Sequence, residues 1–383
     1  GKTTTSSMLA HIIVNAGEGE LADPSYAIGG SIQGKDGATL DGGHAGKGSV
    51  LVAEADESDG SFAKYHPEIA IITNAEADHL DHYGTEAKYR AAFVEHAGRA
   101  GKAVIMCGDD DGALAVLRAL KTEVARHVVV YSTQSSECLG DLNGAAHVRI
   151  ESESESAQSG TEHFILHLPA GLVDVEERRV PVTLTVPGIH NARNATAALL
   201  AAVMLGVDVE RAAAAATSFL GAARRFQIRG SVNQVTVIDD YAHHPTEIAA
   251  LLDAARRRYP EAGIHVIFQP HLFSRTMFFA REFAEALAKA DDVIVTGIFP
   301  AREKQEDFPT VSPDTIVNEA VKLEHEPADD WIRGVDDMRT AAQMMVMRAH
   351  HGDVIFTVGA GDITQMDPVI LHALEAHRWD CAR

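Results

Sequence analysis

The chain has 383 residues, which at roughly 150 residues per domain should fill two or three domains. Hydrophobic residues make up 46% and charged residues 23%, which excludes a wholly disordered or fibrous chain. Its 33 Lys and Arg against 55 Asp and Glu leave a formal net charge of −22, which argues against nonspecific binding of nucleic acid or of anionic membranes.

In chain order, Gly1-Lys2-Thr3-Thr4-Thr5 opens into an apolar helical pattern over residues 8–14. Residues 17–48 are Gly-rich and read as loops with weak strands. Strands are predicted at 50–54, 69–73, 103–107 and 127–131, each followed by Gly, Asp or Asn and then a helix-like stretch. This alternation is the signature of a parallel α/β sheet. From 146 to 186 the pattern turns to alternating strands (148–151, 163–168, 179–186), and the Ser/Glu run 152–160 reads as a solvated hairpin tip. Helices follow at 191–205 and 209–219. The composition breaks near Gly221, and a second series begins. It has strands at 235–239, 265–268, 293–296 and 354–358, and helices at 245–259, 276–288, 313–321 and 338–349. That is a second, doubly wound unit, so the expected domains are 1–221 and 222–383.

The cysteines Cys107, Cys138 and Cys381 are far apart and form no C-x-x-C. A disulfide framework or a structural zinc site is not expected, and a reducing cytoplasm fits. The longest apolar run, 197–205, is half of a bilayer span, so no membrane insertion is expected. No basic segment followed by an apolar stretch opens the chain, and no export signal is read. Because the chain starts with Gly1 rather than Met, inside a motif, it reads as a fragment lacking its N-terminal part.

That opening is the second half of G-x-x-x-x-G-K-[ST]. In this motif backbone N–H groups at a helix N-terminus cradle phosphates, the lysine adds a point charge and the hydroxyl ligates Mg²⁺. Alone it could equally be a capped helix start with a solvent lysine. The carboxylates of 54–59 follow a strand, where open α/β sheets bind ligands, and suit a hard cation better than a merely solvated loop would require. Residues 73–82 gather His79, His82 and three acids at another strand end. Zinc is conceivable there, but beside a phosphate loop Mg-nucleotide is the more economical reading. Asn191 and Asn194, three apart on one helical face, suit a purine or phosphate, or simply a helix cap. Beyond the boundary, Arg224-Arg225-Phe226, residues 239–247, 269–276 and 359–363 describe a ligand-binding rim at the strand ends of one sheet.

The strings GKTTT, EADESDGSF, TNAEADHLDHYG, PGIHNARNATAAL, ARRFQ, DDYAHHPTEI, FQPHLFSRT, AREK and VGAGDI run in order over nearly the whole chain. In that combination the sequence resembles the Mur ligase family of peptidoglycan synthesis. It is most similar to the branch that attaches L-alanine to UDP-N-acetylmuramate, and less similar to the tripeptide-recycling branch at DESDGSF and ARRFQ. The resemblance implies an α/β fold: a central P-loop-type ATP-binding domain with a mixed sheet, then a C-terminal Rossmann-like domain. The N-terminal UDP-binding domain of the family would lie outside this chain.

It also implies roles. Gly1, Lys2, Thr3 and Thr4 would hold the ATP phosphates. Thr3 and Glu54 would ligate a first Mg²⁺ and His79 a second, with Mn²⁺ as a substitute. His190, Asn191 and Asn194 would line the nucleotide site from the central domain, and Arg224, Arg225 and Asp240 would do so from the C-terminal one. Tyr241, His243, His271 and Arg275 would lie by the L-alanine, where a guanidinium suits a carboxylate. Lys2, His79, His243 and Arg275 would be catalytic. Leu272 stands where some relatives carry Arg. Lys88 fits poorly as the carbamylated lysine of sister branches, and none is assigned.

The implied chemistry is activation of a carboxylate by ATP to an acyl phosphate, then attack by the amine, in a cytoplasmic enzyme acting on small molecules only. The alternatives are a related ligase for another amino acid, such as a folate-type γ-glutamyl ligase, or a nucleotide-binding fragment without turnover.

Overall fold

A computed structural model describes residues 1–33, 39–77, 80–152, 161–173, 176–323 and 330–377. The chain divides into two units, Gly1–Ala223 and Arg224–Arg383.

The first unit is built on a six-stranded sheet in the order Arg178–Leu184, Glu162–Leu168, Ala146–Ser152, Val128–Ser132, Ala103–Cys107, Ile69–Ile72. The last four run parallel, and the two hairpin strands are antiparallel. Composition explains the difference. Ala103–Cys107 and Val128–Ser132 are buried at every residue, as strands covered on both faces must be. In Glu162–Leu168 buried and partly exposed residues alternate, the period of a strand with one face on the core. Residues 153–160 of the expected hairpin tip lie outside the described residues.

Helix Lys2–Ala16 packs on helix Ile189–Met204 over one face of the sheet, burying Met8, Ile12 and Ile13 against an alanine-rich partner. The other face is covered by Glu86–Gly98 and Asp111–Ala119, around Phe62, Tyr89 and Phe93.

One expected strand lies elsewhere. Leu51–Ala53 belongs to a separate three-stranded sheet, parallel to Ser25–Ala27, which pairs antiparallel with Gly43–His44. Only Val52 of its three residues is buried, so it lacks the two-sided apolar face that a place among the parallel strands demands.

The second unit carries a sheet in the order Gln227–Val232, Val235–Asp240, Val354–Val358, Ile264–Phe268, Asp292–Thr296, Ile332–Val335. All neighbours are parallel except the first pair. The edge strands Gln227–Val232 and Ile332–Val335 escaped the sequence reading because their residues are mostly part-exposed. The helix expected over 276–288 is two, Phe273–Phe278 and Ala280–Leu287, broken at Phe279 (ψ 23°). The late strand Val354–Val358 inserts between Val235–Asp240 and Ile264–Phe268. That crossover sets the loops beginning at Tyr241, Gly359 and Gln269 side by side on one rim.

Candidate active site

In the first unit the polar residues gather at the N-terminus of helix Lys2–Ala16, with Gly1 as its N-cap. Lys2 Nζ donates to Glu57 Oε2 at 2.5 Å and lies 3.5 Å from Asp56 Oδ1. Burial alone would lower the Lys2 pKa, but the Glu57, Asp56 and Glu54 carboxylates together outweigh it and hold the ammonium above the ordinary lysine range. Thr3 Oγ1 donates to Glu54 Oε1 (2.8 Å), and Gly29 N donates to Glu54 Oε2 (2.7 Å). A Cβ at position 29 would sit 3.2 Å from Glu54 Oε2, a tight approach that a side chain there would crowd. Tyr83 Oη donates to the Glu57 carbonyl (2.6 Å) and so anchors the acidic loop.

Behind this pair, Thr5 Oγ1 donates to Asn194 Oδ1 (3.3 Å), and a Cβ on Gly1 would sit 3.1 Å from that oxygen and 3.2 Å from Thr73 Oγ1. The chain start, the end of strand Ile69–Ile72 and helix Ile189–Met204 therefore converge. Thr4 is buried beneath them, and His190 is half-buried in the first turn of the second helix. Asn191 faces back into its own turn, its Nδ2 donating to Pro187 O (2.7 Å). His79 lies outside the described residues.

Among the described residues, no cluster of three His, Cys, Asp or Glu side chains is arranged for a metal ion. The Thr3 hydroxyl and Glu54 carboxylate form a hard oxygen pair. They fit Mg²⁺, which keeps water and phosphate oxygens as its remaining ligands.

The helix with Asn191 and Asn194 is tied to the sheet by Arg193, whose Nε donates to Asp109 Oδ2 at 2.6 Å. Asp109 is buried and also accepts from Ser132 Oγ and from the Thr133 amide and hydroxyl. Burial works against its charge, but these donors and Arg193 keep its pKa below the ordinary carboxylate range. Arg193→Met is expected to destabilise the protein by about 2 kcal/mol in urea unfolding, because a buried charge loses a partner.

In the second unit the rim is dense. Arg224 and Phe226 hold left-handed backbone angles (φ 56° and 50°). That strain persists because the Arg224 amide donates to Gln227 Oε1 (2.9 Å) and the Phe226 amide to Asp240 Oδ2 (2.7 Å). The other Asp240 oxygen accepts from Ala242 N (2.8 Å). Burial raises the Asp240 pKa to about 6 despite the Arg225 guanidinium. Arg224 and Arg225 stand over the Tyr241 ring, 4.9 and 5.3 Å from its centroid.

His243 Nδ1 faces two acceptors, Tyr241 O at 3.1 Å and Glu247 Oε2 at 3.4 Å. The proton therefore sits on Nδ1, and Nε2 carries the lone pair. Burial, outweighing Glu247, lowers the His243 pKa and keeps the ring neutral near pH 7. His271 takes the opposite tautomer, because Arg275 Nη1 donates to its Nδ1 (3.3 Å) and Nε2 becomes a donor. The two rings lie 5.9 Å apart, a proton acceptor beside a proton donor.

Sequence reasoning did not single out Glu247, which serves His243 and Arg225, or Glu303, which serves Ser274. The capping-box spacing from His244 to Glu247 was a readable signal for the first. The second is 29 residues from its partner and entered only as part of the string AREK, with no role attached.

Residues 1–202 match the Mur ligase middle domain and residues 224–361 the Mur ligase glutamate ligase domain. The chain belongs to the Mur ligase family, in agreement with the sequence resemblance. Over 381 residues it is 82% identical to the UDP-N-acetylmuramate–L-alanine ligase of Bifidobacterium adolescentis, covering 100% of this chain and 73% of that protein. The corresponding ligase of Renibacterium salmoninarum is 43% identical over 98% of this chain and 72% of its own length. Among solved structures, UDP-N-acetylmuramate–alanine ligase from Thermotoga maritima superposes with a TM-score of 0.72 at 26% identity, over 98% of this chain and 74% of that one. No helix among the described residues is long and apolar enough to cross a membrane.

Proposed function

We propose that the protein joins L-alanine to the carboxylate of UDP-N-acetylmuramate at the expense of ATP, releasing ADP and phosphate in the cytoplasm. One observation carries this reading. The charged Lys2, the Thr3 hydroxyl and Glu54 meet at a helix N-terminus, in a chain 82% identical to a ligase named for that reaction.

A carboxylate does not acylate an amine at neutral pH until its oxygen becomes a leaving group. Its attack on the γ-phosphorus of ATP gives an acyl phosphate and ADP; the alanine amine then attacks the carbonyl and phosphate departs. In-line phosphoryl transfer needs positioning and charge neutralisation more than covalent help. Gly1, Lys2, Thr3 and Thr4 supply helix-terminal N–H groups and a cation for the phosphates. Thr3 and Glu54 would hold Mg²⁺, which when bound neutralises phosphate charge. His79 is assigned a second ion on the resemblance alone.

His190, Asn191 and Asn194 are assigned to the nucleotide from the first unit, Arg224, Arg225 and Asp240 from the second. Asp240 still has lone pairs beyond its two amide bonds. Arg275, with Tyr241 and His271, is assigned the alanine carboxylate. His243 Nε2 is the base for the ammonium proton, since the amine must be neutral to attack.

The direct test is phosphate release by the full protein with ATP and Mg²⁺, omitting UDP-N-acetylmuramate or L-alanine in turn. Release is expected only with both, and an amino-acid panel should favour alanine. Glu54→Gln should lower turnover about 100-fold, with partial recovery at raised Mg²⁺. Equal rates with another amino acid would point to a related ligase of different amino-acid specificity, and release that ignores both substrates would remove the ligase assignment.

A further inference from the structure

The string AREK at 301–304 is left without a task by the reading above, yet the structure ties it to the segment that carries His271 and Arg275. Phe299 N donates to Pro270 O (2.8 Å), and Leu272 N donates to Phe299 O (2.9 Å). The Phe299 ring stacks on His271, with centroids 5.6 Å apart and planes 16° from parallel. Glu303 then closes the clasp: Ser274 N donates to its Oε2 at 3.0 Å, and Ser274 Oγ donates to its Oε1. Ser274 lies next to Arg275 at the start of the six-residue helix Phe273–Phe278, whose N-cap Leu272 has a left-handed φ of 69° and no side-chain cap bond. A helix this short, begun from a strained residue, does not hold its own orientation.

We propose that residues 299–303 are the splint of the amino-acid site, with Glu303 as its positioning residue. Glu303 grips the helix start through Ser274, and Phe299 fixes the plane of the His271 ring. Together they aim the Arg275 guanidinium and the His271 Nε2–H at one acceptor carboxylate. Glu303 touches no substrate. Its effect falls on binding of the amino acid and spares the phosphoryl step, since Glu303 is bonded to Ser274 and not to any residue assigned to the phosphates. This inference rests on the assignment of His271 and Arg275 to L-alanine.

The test uses the full protein, with ATP and L-alanine varied separately and the acyl phosphate trapped by hydroxylamine without amino acid. Glu303→Ala is expected to raise KM for L-alanine about tenfold, as loss of a charge-assisted hydrogen bond would. KM for ATP and the yield of trapped acyl phosphate should stay within about twofold. Ser274→Ala, which keeps the amide bond, should raise KM for L-alanine about threefold, and the double variant should be no worse than Glu303→Ala. An unchanged KM for L-alanine in both single variants, or equal rises for ATP and alanine, overturns the splint. If Glu303→Ala does not fold, Ser274→Ala decides alone by the same criteria. A wild-type protein whose turnover does not depend on L-alanine overturns the site assignment itself, and the splint with it.

Discussion

Lys2→Ala is expected to lower acyl-phosphate formation by about 100- to 1000-fold, the loss typical of one preorganised electrostatic contact to a developing charge. The side chain is held in place by neighbouring carboxylates. Its ammonium lies between Glu57 at 2.5 Å and Asp56 at 3.5 Å, and Tyr83 pins the Glu57 backbone. Those carboxylates hold the Lys2 pKa above the ordinary lysine range, so its loss should shift kcat with little change in the shape of the pH profile near neutrality. Lys2→Arg should recover only part of the rate, because a planar fork does not replace a point charge. Rapid-quench measurement of bound acyl phosphate separates this from any later defect. Near-normal formation in Lys2→Ala would end the phosphate assignment for the whole helix terminus.

A second large effect concerns stability, at the end of the second sheet away from the rim. His265 is buried between two carboxylates, Nε2 at 2.9 Å from Asp353 and Nδ1 at 3.3 Å from Asp292. Asp292 also receives Arg348 Nε at 2.9 Å and Arg333 Nη2 at 3.0 Å, and Asp353 accepts from the Gly263 and His350 amides. Burial alone would lower the His265 pKa, but its hydrogen bonds to Asp292 and Asp353 raise it to about 9. A raised folded pKa stabilises the native state fully below the unfolded value near 6.5 and loses that contribution as pH climbs through about 9. The shift corresponds to about 3 kcal/mol.

The carboxylates titrate below their ordinary values, so they add no slope between pH 6 and 9.5. Urea unfolding of wild type and His265→Asn should therefore differ most at pH 6, and the gap should narrow by about 3 kcal/mol at pH 9.5. A gap that stays constant over that range means the imidazole is not held as a cation.

Much of this molecule can be read from local pattern. Strands such as Ala103–Cys107 and Val354–Val358 announce themselves because burial on both faces favours a nearly continuous apolar run. The helix start at Lys2 and Thr3 is legible because GKT before an apolar helical pattern has the spacing of a phosphate loop. The rim loops are legible because ligands meet parallel sheets at strand C-termini.

Pairing is another matter. An apolar period says that Leu51–Ala53 and Val354–Val358 are strands. It does not say that the first joins a small sheet beside Ser25–Ala27, or that the second slips between two earlier strands. In a chain with 55 acidic residues, nothing local says which partner Glu57 or Glu303 takes. Glu57 and Glu303 become the holders of Lys2 and Ser274 only when the fold brings distant loops together, whereas Glu247 meets His243 four residues away. Local spacing encodes element type and the reactive groups, since backbone geometry and functional chemistry act over a few residues. Strand order and the supports of those groups come from long-range burial, which no short window of residues contains.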